Sequence, residues 1–274
     1  MRVAVYQPQY LPRLHYVNRA LDADVFVVLD TAQFTRKLKH HTATGGATVH
    51  HSYQAHAPIR LAGGRHMLTV PVRHQGVRTS IAQAQVADRE EWITTHLRSI
   101  HSGYANAPHY RTLGPALEEV LERDHVSLAG LNLRSLLWAV ATLLRLDLPV
   151  SALALDAVNA GLAAQDHVRL GRIVLASEMD AERPDGQQQG NAWIAAMCHE
   201  LGATEYLCGG TAIGNYMDKE FFVDRGIEPV IQSWHCRAYP QQFSDRQPFA
   251  PNLSIVDLLL NVDACAARSI VCSH

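Results

Sequence analysis

Apolar residues run unbroken through Val3-Ala4-Val5-Tyr6 and stop at the proline-bracketed Gln7-Pro8-Gln9-Tyr10-Leu11-Pro12. They return as Val25-Phe26-Val27-Val28-Leu29, which ends on an acid, Asp30. Leu14 to Leu21, between the two runs, has the length of a short helix. The pattern predicts a β-turn-α-β unit, with strands at Val3 to Tyr6 and Val25 to Leu29. Such units form ligand sites outside the carboxyl ends of their strands. Residues 31–66 keep no period, and this predicts a long irregular insertion or a ragged hairpin, a length of loop that is often functional. Met67-Leu68-Thr69-Val70-Pro71-Val72 predicts a buried strand.

The middle of the chain changes period. Glu90 to Ser102, Tyr110 to Glu122 and Leu128 to Arg145 carry apolar residues at helical spacing, with Leu133, Leu136, Leu137, Val140, Leu143 and Leu144 on one wide face. The last third alternates again. Strands are expected at Ile173 to Ser177, Thr204 to Cys208 and Glu228 to Gln232. Helices are expected at Asn191 to Leu201, stopped by Gly202, near Asp218 to Arg225, stopped by Gly226, and at Leu253 to Val262, capped by Asn252 or Ser254. The final helix reads as structural, with Leu253, Val256, Leu259 and Leu260 buried and Asp257 elsewhere on the turn. Alternation at both ends predicts an α/β fold: one mostly parallel, Rossmann-like three-layer sheet. The stretch 90–147 is a helical insert or lid within a single domain of residues 1–274.

Composition narrows the class. The 274 residues are 47% apolar and 18% charged, as in an ordinary globular protein. A net charge of −2 gives no drive toward nucleic acid or an anionic membrane. No apolar run approaches the roughly 20 residues that span a bilayer, and the start enters a strand directly, so a cytoplasmic protein is expected. The five cysteines have no C-x-x-C spacing, which argues against a zinc ribbon and a disulfide framework.

Several separate segments resemble one family. Gln7-Pro8-Gln9-Tyr10-Leu11-Pro12, then Asp24 to Asp30 with Gln33-Phe34, then Leu68-Thr69-Val70-Pro71-Val72 look like the start of WbqC-like proteins. Glu200-Leu201-Gly202-Ala203-Thr204, Tyr206-Leu207, Gly209, Tyr216-Met217-Asp218, Tyr239-Pro240-Gln241 and Pro251 to Leu259 resemble the closing motifs of the same family. The basic, His-rich stretch from Arg36 to His66 departs from the family pattern, as does the long turn from Gly210 to Asn215. The resemblance implies a place in O-antigen or natural-product biosynthesis, and a glycyl- or aminoacyl-transferase role. A carrier-bound acyl donor and a small-molecule acceptor would be its partners.

The residues themselves offer these groups. Gln7 and Tyr10 in the first turn, and Asp30 and Gln33 after the second strand, are placed to line a pocket. Asp30 could hold an amine, a histidine or Mg²⁺. Arg36, Lys37 and Lys39 suit an anion or form a solvated basic loop. The first turn also echoes the ATP-cradling turn of nucleotidyltransferases, so ATP with Mg²⁺ stays open as a cofactor. Cys208, at a strand end before Gly209 and Gly210, is a nucleophile or an inert buried thiol. Backbone N–H groups of Gly209 and Gly210 could hold an oxyanion. His235 is a general acid/base, reachable from Cys208 across the sheet. Tyr216 and Asp218 are further lining candidates. His40, His41, His50, His51, His56 and His66 form a metal site or a set of exposed loop histidines. Three functions follow: an aminoacyl transferase, an ATP-dependent adenylating enzyme, or a non-catalytic metabolite binder.

Overall fold

A computed structural model describes residues 1–41, 47–73, 79–87, 89–123, 125–183, 189–210, 212 and 217–273, with side chains for all of these but 38–41, 47–50, 89 and 90. Five strands make the central sheet: β1 (Arg2–Tyr6), β2 (Val25–Val28), β7 (Arg172–Leu175), β8 (Glu205–Cys208) and β9 (Glu228–Ile231). Their spatial order is β7-β2-β1-β8-β9, and every neighbouring pair is parallel. The chain therefore builds outward from β1 to β2 and β7, then returns to the other side of β1 for β8 and β9. The reversal between β1 and β8 is the switch point at which open α/β sheets bind ligands. This is an α/β fold with a mainly parallel sheet, consistent with a Rossmann-like three-layer arrangement.

The inner strands β1, β2 and β8 form where apolar residues are buried on both faces, and all four residues of β2 are buried; the edge strands β7 and β9 are partly exposed. The helix α1 (Leu14–Leu21) has the bounds the pattern predicts. For residues 31–66 the hairpin alternative holds and the irregular insertion does not: the segment gives two antiparallel hairpins, β3 (Lys37–His41) with β4 (Ala47–His51), and β5 (His56–Leu61) with β6 (Gly64–Thr69). Gly64, at φ 111°, follows the tight turn of the second hairpin, where an L side chain is strained. The expected strand from Met67 to Val72 is in part β6, and it pairs with β5 rather than with the central sheet.

The middle helices are α2 (Arg89–Tyr104), α3 (Tyr110–Glu122) and α4 (Leu128–Leu144). They pack on β5 and on two C-terminal helices, α8 (Ile255–Asn261) and α9 (Ala264–Val271), and their buried side chains join those of the sheet in one core. The remaining helices are α5 (Leu155–Leu162), α6 (Gln189–Glu200) and α7 (Lys219–Val223). Neither α5 nor α9 is expected from the pattern. The Asn159 side chain fixes α5 to the sheet edge by exchanging two 2.8 Å hydrogen bonds with the backbone of Ile173. Asp263 caps α9 by accepting from the N–H groups of Cys265 and Ala266. Among the described residues no helix is long and apolar enough to cross a membrane.

Candidate functional site

The carboxyl ends of β1, β2 and β8 gather several of the expected residues, in uneven roles. Gln7 is exposed, and its Oε1 accepts a 2.7 Å bond from Nε2 of Gln54. Gln54 also accepts from the N–H of Thr35, so one buried amide ties the loops after β1 and β2 together. Gln33 and Arg36 are exposed, and Arg36 Nη2 donates to the carbonyl of Val72. Asp30 is buried and serves as a brace across two strand ends: it accepts from the N–H of Ser177 at 3.0 Å and from its hydroxyl at 2.6 Å.

Other expected residues are turned away from solvent. Tyr10 is 1% exposed, packed against Trp92 and His96. Its hydroxyl shares a 2.9 Å hydrogen bond with Nδ1 of His96, whose Nε2 lies within hydrogen-bond distance of both the N–H and the carbonyl of Thr69. This is a core position and corrects the reading of Tyr10 as pocket lining. Cys208 is fully buried, and burial pushes its thiol up, opposite to the thiolate that a nucleophile needs. The N–H of Gly209 is already engaged by the Tyr6 hydroxyl at 2.6 Å, so it does not face an oxyanion. Gly210 is exposed at the tip of the same turn. Asp218 caps α7 by accepting from Phe221 N–H. His235 is exposed in the segment after β9. Tyr216 lies outside the described residues.

The geometry draws together residues that the pattern did not single out. Arg13, the residue that precedes α1, His15 in its first turn and Arg19 in its last turn lie near the switch point between β1 and β8. Arg19 is 5% exposed. Its guanidinium lies 3.8 Å from the centre of the Tyr6 ring, and Nη2 donates to Oε1 of Gln232. Gly209 is required here, because a Cβ at that position would stand 2.9 Å from Arg19 Nη2. Arg13 stacks 3.4 Å over the Tyr53 ring and donates to Nε2 of His15 at 3.3 Å. Asn252, in left-handed backbone at φ 55°, accepts from both the N–H and Nδ1–H of His15, and this fixes its tautomer. Leu11, at φ 38°, is a second left-handed residue in the same turn, a costly conformation for leucine.

The electrostatics of this cluster are one-sided. Among the described residues no carboxylate forms an ion pair with Arg13 or Arg19. Nε of each is buried without a partner. Burial, with Arg65 and Arg19 nearby, pulls the Arg13 guanidinium down to about 10. Burial, with Arg13 and Arg19, pulls His15 down to about 3, so its imidazole is neutral at pH 7. An uncompensated buried charge costs several kcal/mol. The N–H groups of Leu14 and His15 are taken by Leu253 and Asn252, so the positive field comes mainly from side chains.

A cleft of ≈ 270 Å³ opens beside this cluster, between the hairpins, lined by residues that include Phe34, Arg36, Lys37, His51, His56 and Thr69. Nδ1–H of His56 donates to the carbonyl of Ser52 at 2.6 Å, so Nε2 carries the lone pair. Among the described residues Nε2 has no hydrogen-bond partner. Burial, with His51 stacked 4.6 Å away, lowers His56 below its ordinary value. Residues 52–55 separate cleft from cluster, with Tyr53 under Arg13 and Ser52 holding His56. Asn132 of α4 supports this segment by donating to the carbonyls of Gln54 and Pro8.

As for metals, no group of three or more His, Cys, Asp or Glu among the described residues is placed to hold an ion. The side chains of His40, His41 and His50 lie outside the described set. Arg13 and Arg19 carried a signal in the sequence: Arg19 sits in a helix whose neighbours Tyr16, Val17, Ala20 and Leu21 must all be buried between strands. No local signal marks Gln54 or Gln232, whose roles depend on contacts with distant segments.

The model of the WbqC-like protein family matches residues 7–269, and the chain belongs to that family. It is 26% identical over 265 residues to a protein of Mycobacterium tuberculosis (strain ATCC 25618 / H37Rv) described as the uncharacterized protein Rv1507c. The match covers 96% of this chain and 94% of that one. No solved structure matches the chain.

Proposed function

We propose that this member of the WbqC-like family is a cytoplasmic biosynthetic enzyme. It transfers an aminoacyl group from an activated, anionic donor to an amine or hydroxyl of a sugar or secondary metabolite. The observation that supports this most is the pair of uncompensated guanidinium groups, Arg13 and Arg19, at the switch point of the parallel sheet. They suit the anionic part of a donor, small or carrier-bound. The acceptor enters the adjacent cleft. There His56 Nε2 removes its proton as the acceptor nitrogen or oxygen bonds to the acyl carbon, and the donor's leaving group departs with the electrons of the broken bond. Arg36 lines the cleft, and the exposed Gln7, Gln33, Gly210 and His235 are further candidates for contact with substrate. Asp30 holds the strand ends in register from behind.

The test is to incubate the protein with candidate activated amino acids and acceptors and read product masses. Replacing His56 with alanine should lower turnover by roughly 10²–10⁴, the usual weight of a general base. Unchanged turnover in that variant would remove His56 from the reaction and return the role to His235. A second reading, ATP-dependent adenylation of a carboxylate with Mg²⁺, is favoured by the same two guanidinium groups, which suit phosphate oxygens. Pyrophosphate release in the presence of the carboxylate alone separates the two.

A further inference from the structure

We infer that the Arg13–Arg19 cluster is a phosphate site, and that the ligand reaching it carries a phosphate monoester or a diphosphate rather than a carboxylate. This rests on the reading of the switch point as the ligand site, but not on the reaction carried out there.

The argument is one of charge and hydrogen-bond capacity. A guanidinium has five N–H donors in a planar fork. Arg60, the other deeply buried arginine, donates to four acceptors and has the Asp257 carboxylate nearby. Arg19 is buried to a similar depth and donates to one acceptor, the neutral amide of Gln232. Arg13 donates to the neutral imidazole of His15 and lies against the phenol of Tyr53. The charged groups that bear on His15 are Arg13 and Arg19; those on Arg13 are Arg65 and Arg19, with the Tyr53 phenol acting the other way. Two formal positive charges therefore bear on the same imidazole, and among the described residues no carboxylate pairs with either. A carboxylate ligand would neutralise one of them, whereas a phosphate dianion matches both and brings three acceptor oxygens to the open N–H groups. Tyr53 and Tyr6 clamp the two guanidinium planes from behind, and Gln232, held by the His15 carbonyl and Asn18, fixes the position of Arg19. The forks are thus oriented before a ligand arrives, which lowers the ordering cost of binding.

Calorimetric titration with inorganic phosphate, pyrophosphate and acetate at constant ionic strength tests this. Phosphate and pyrophosphate should bind at least tenfold more tightly than acetate. Arg13→Gln and Arg19→Gln should each weaken phosphate roughly tenfold or more, the loss of a charge-assisted bond. Arg225→Gln, at an exposed position in the turn after α7, should leave binding unchanged. If Arg19→Gln fails to fold, Arg13→Gln at the half-buried rim gives the same reading. Acetate binding as tightly as phosphate, or Arg13→Gln binding phosphate like the parent protein, would overturn the inference. Acyl product formed without any phosphate affinity removes the phosphate and keeps the transfer reaction. Phosphate affinity without product does the reverse.

Discussion

Arg60 and Asp257 are buried as deeply as Arg13's neighbour Arg19, but they are answered by the chain itself. Asp257 is 0% exposed and accepts from the hydroxyls of Tyr104 and Tyr239 and from the amide of Gln241. Gln241 also accepts from Arg60, which reaches on to the carbonyls of Phe243, Gln247 and Pro248. This network anchors residues 239–250 over β5 and α8. The cluster at α1 has the same ingredients, arginine, tyrosine and glutamine, without the carboxylate. The difference separates two uses of buried charge. In the first the chain supplies both signs and gains a fixed loop; in the second it supplies one sign and leaves the other to a ligand.

The comparison breaks most visibly at Asp257. Its replacement by alanine strands two tyrosine hydroxyls, an amide and a nearby guanidinium. A loss of about 3–5 kcal/mol in urea unfolding is expected, the cost of removing one member of a buried charged set. A loss below about 1 kcal/mol would mean that the network is not what holds the loop.

Acid comes next. His15, at about 3, and His96, at about 4, are both lowered mainly by burial. A histidine with a depressed folded value binds fewer protons in the folded state than in the unfolded one. Its stabilising contribution is complete above about pH 6.5 and declines as the pH falls toward the folded value. Each should therefore withdraw about 2 kcal/mol between pH 7 and pH 5. His96→Gln should flatten that slope. If phosphate occupies the cluster, it shifts His15 upward and flattens the slope as well, and Asp257 variants should not mimic this.

A smaller effect sets the scale. Ser127 caps α4 by accepting from Gly130 N–H at 3.1 Å, away from both regions. Ser127→Ala should cost about 1 kcal/mol in the same unfolding assay. Smallest of all is the expected effect of Arg19→Met, which keeps an unbranched stem beside Tyr6 and removes the uncompensated charge. Stability should fall by less than about 1 kcal/mol or rise, because an apolar substitute removes the desolvation penalty. A larger loss would show that Arg19 is held by internal partners and belongs with Arg60.

The regular half of the fold was readable from the pattern. The bounds of α1 and the positions of β1 and β2 follow from short, almost wholly apolar runs, which a sheet covered on both faces buries. Residues 31–66 were readable only as an irregular insertion or a ragged hairpin, because His40-His41 and His50-His51 break the alternation that marks a half-buried strand. Asp257 misleads for a different reason. An acid inside an apolar helix is ordinarily assigned to the solvent face, and its partners Tyr104 and Tyr239 lie 153 and 18 residues away. At the candidate site the first turn pointed to the strand ends beside which the two arginines lie, but it did not single out Arg13 or Arg19. Tyr10 is apolar enough to be taken into the core, while Arg13 and Arg19 remain where the strands end.

The first turn is held by the last tenth of the chain. Ser254 donates to the carbonyl of Leu11, Ile255 N–H donates to that of Pro12, and Leu14 N–H donates to that of Leu253. Asn252 orients His15. On the ribosome the residues of this turn emerge about 240 residues ahead of 252–255, and the contacts that set Leu11 and His15 in place do not exist until that later stretch has left the exit tunnel. Until then a nascent chain carries these arginines solvated and unassembled.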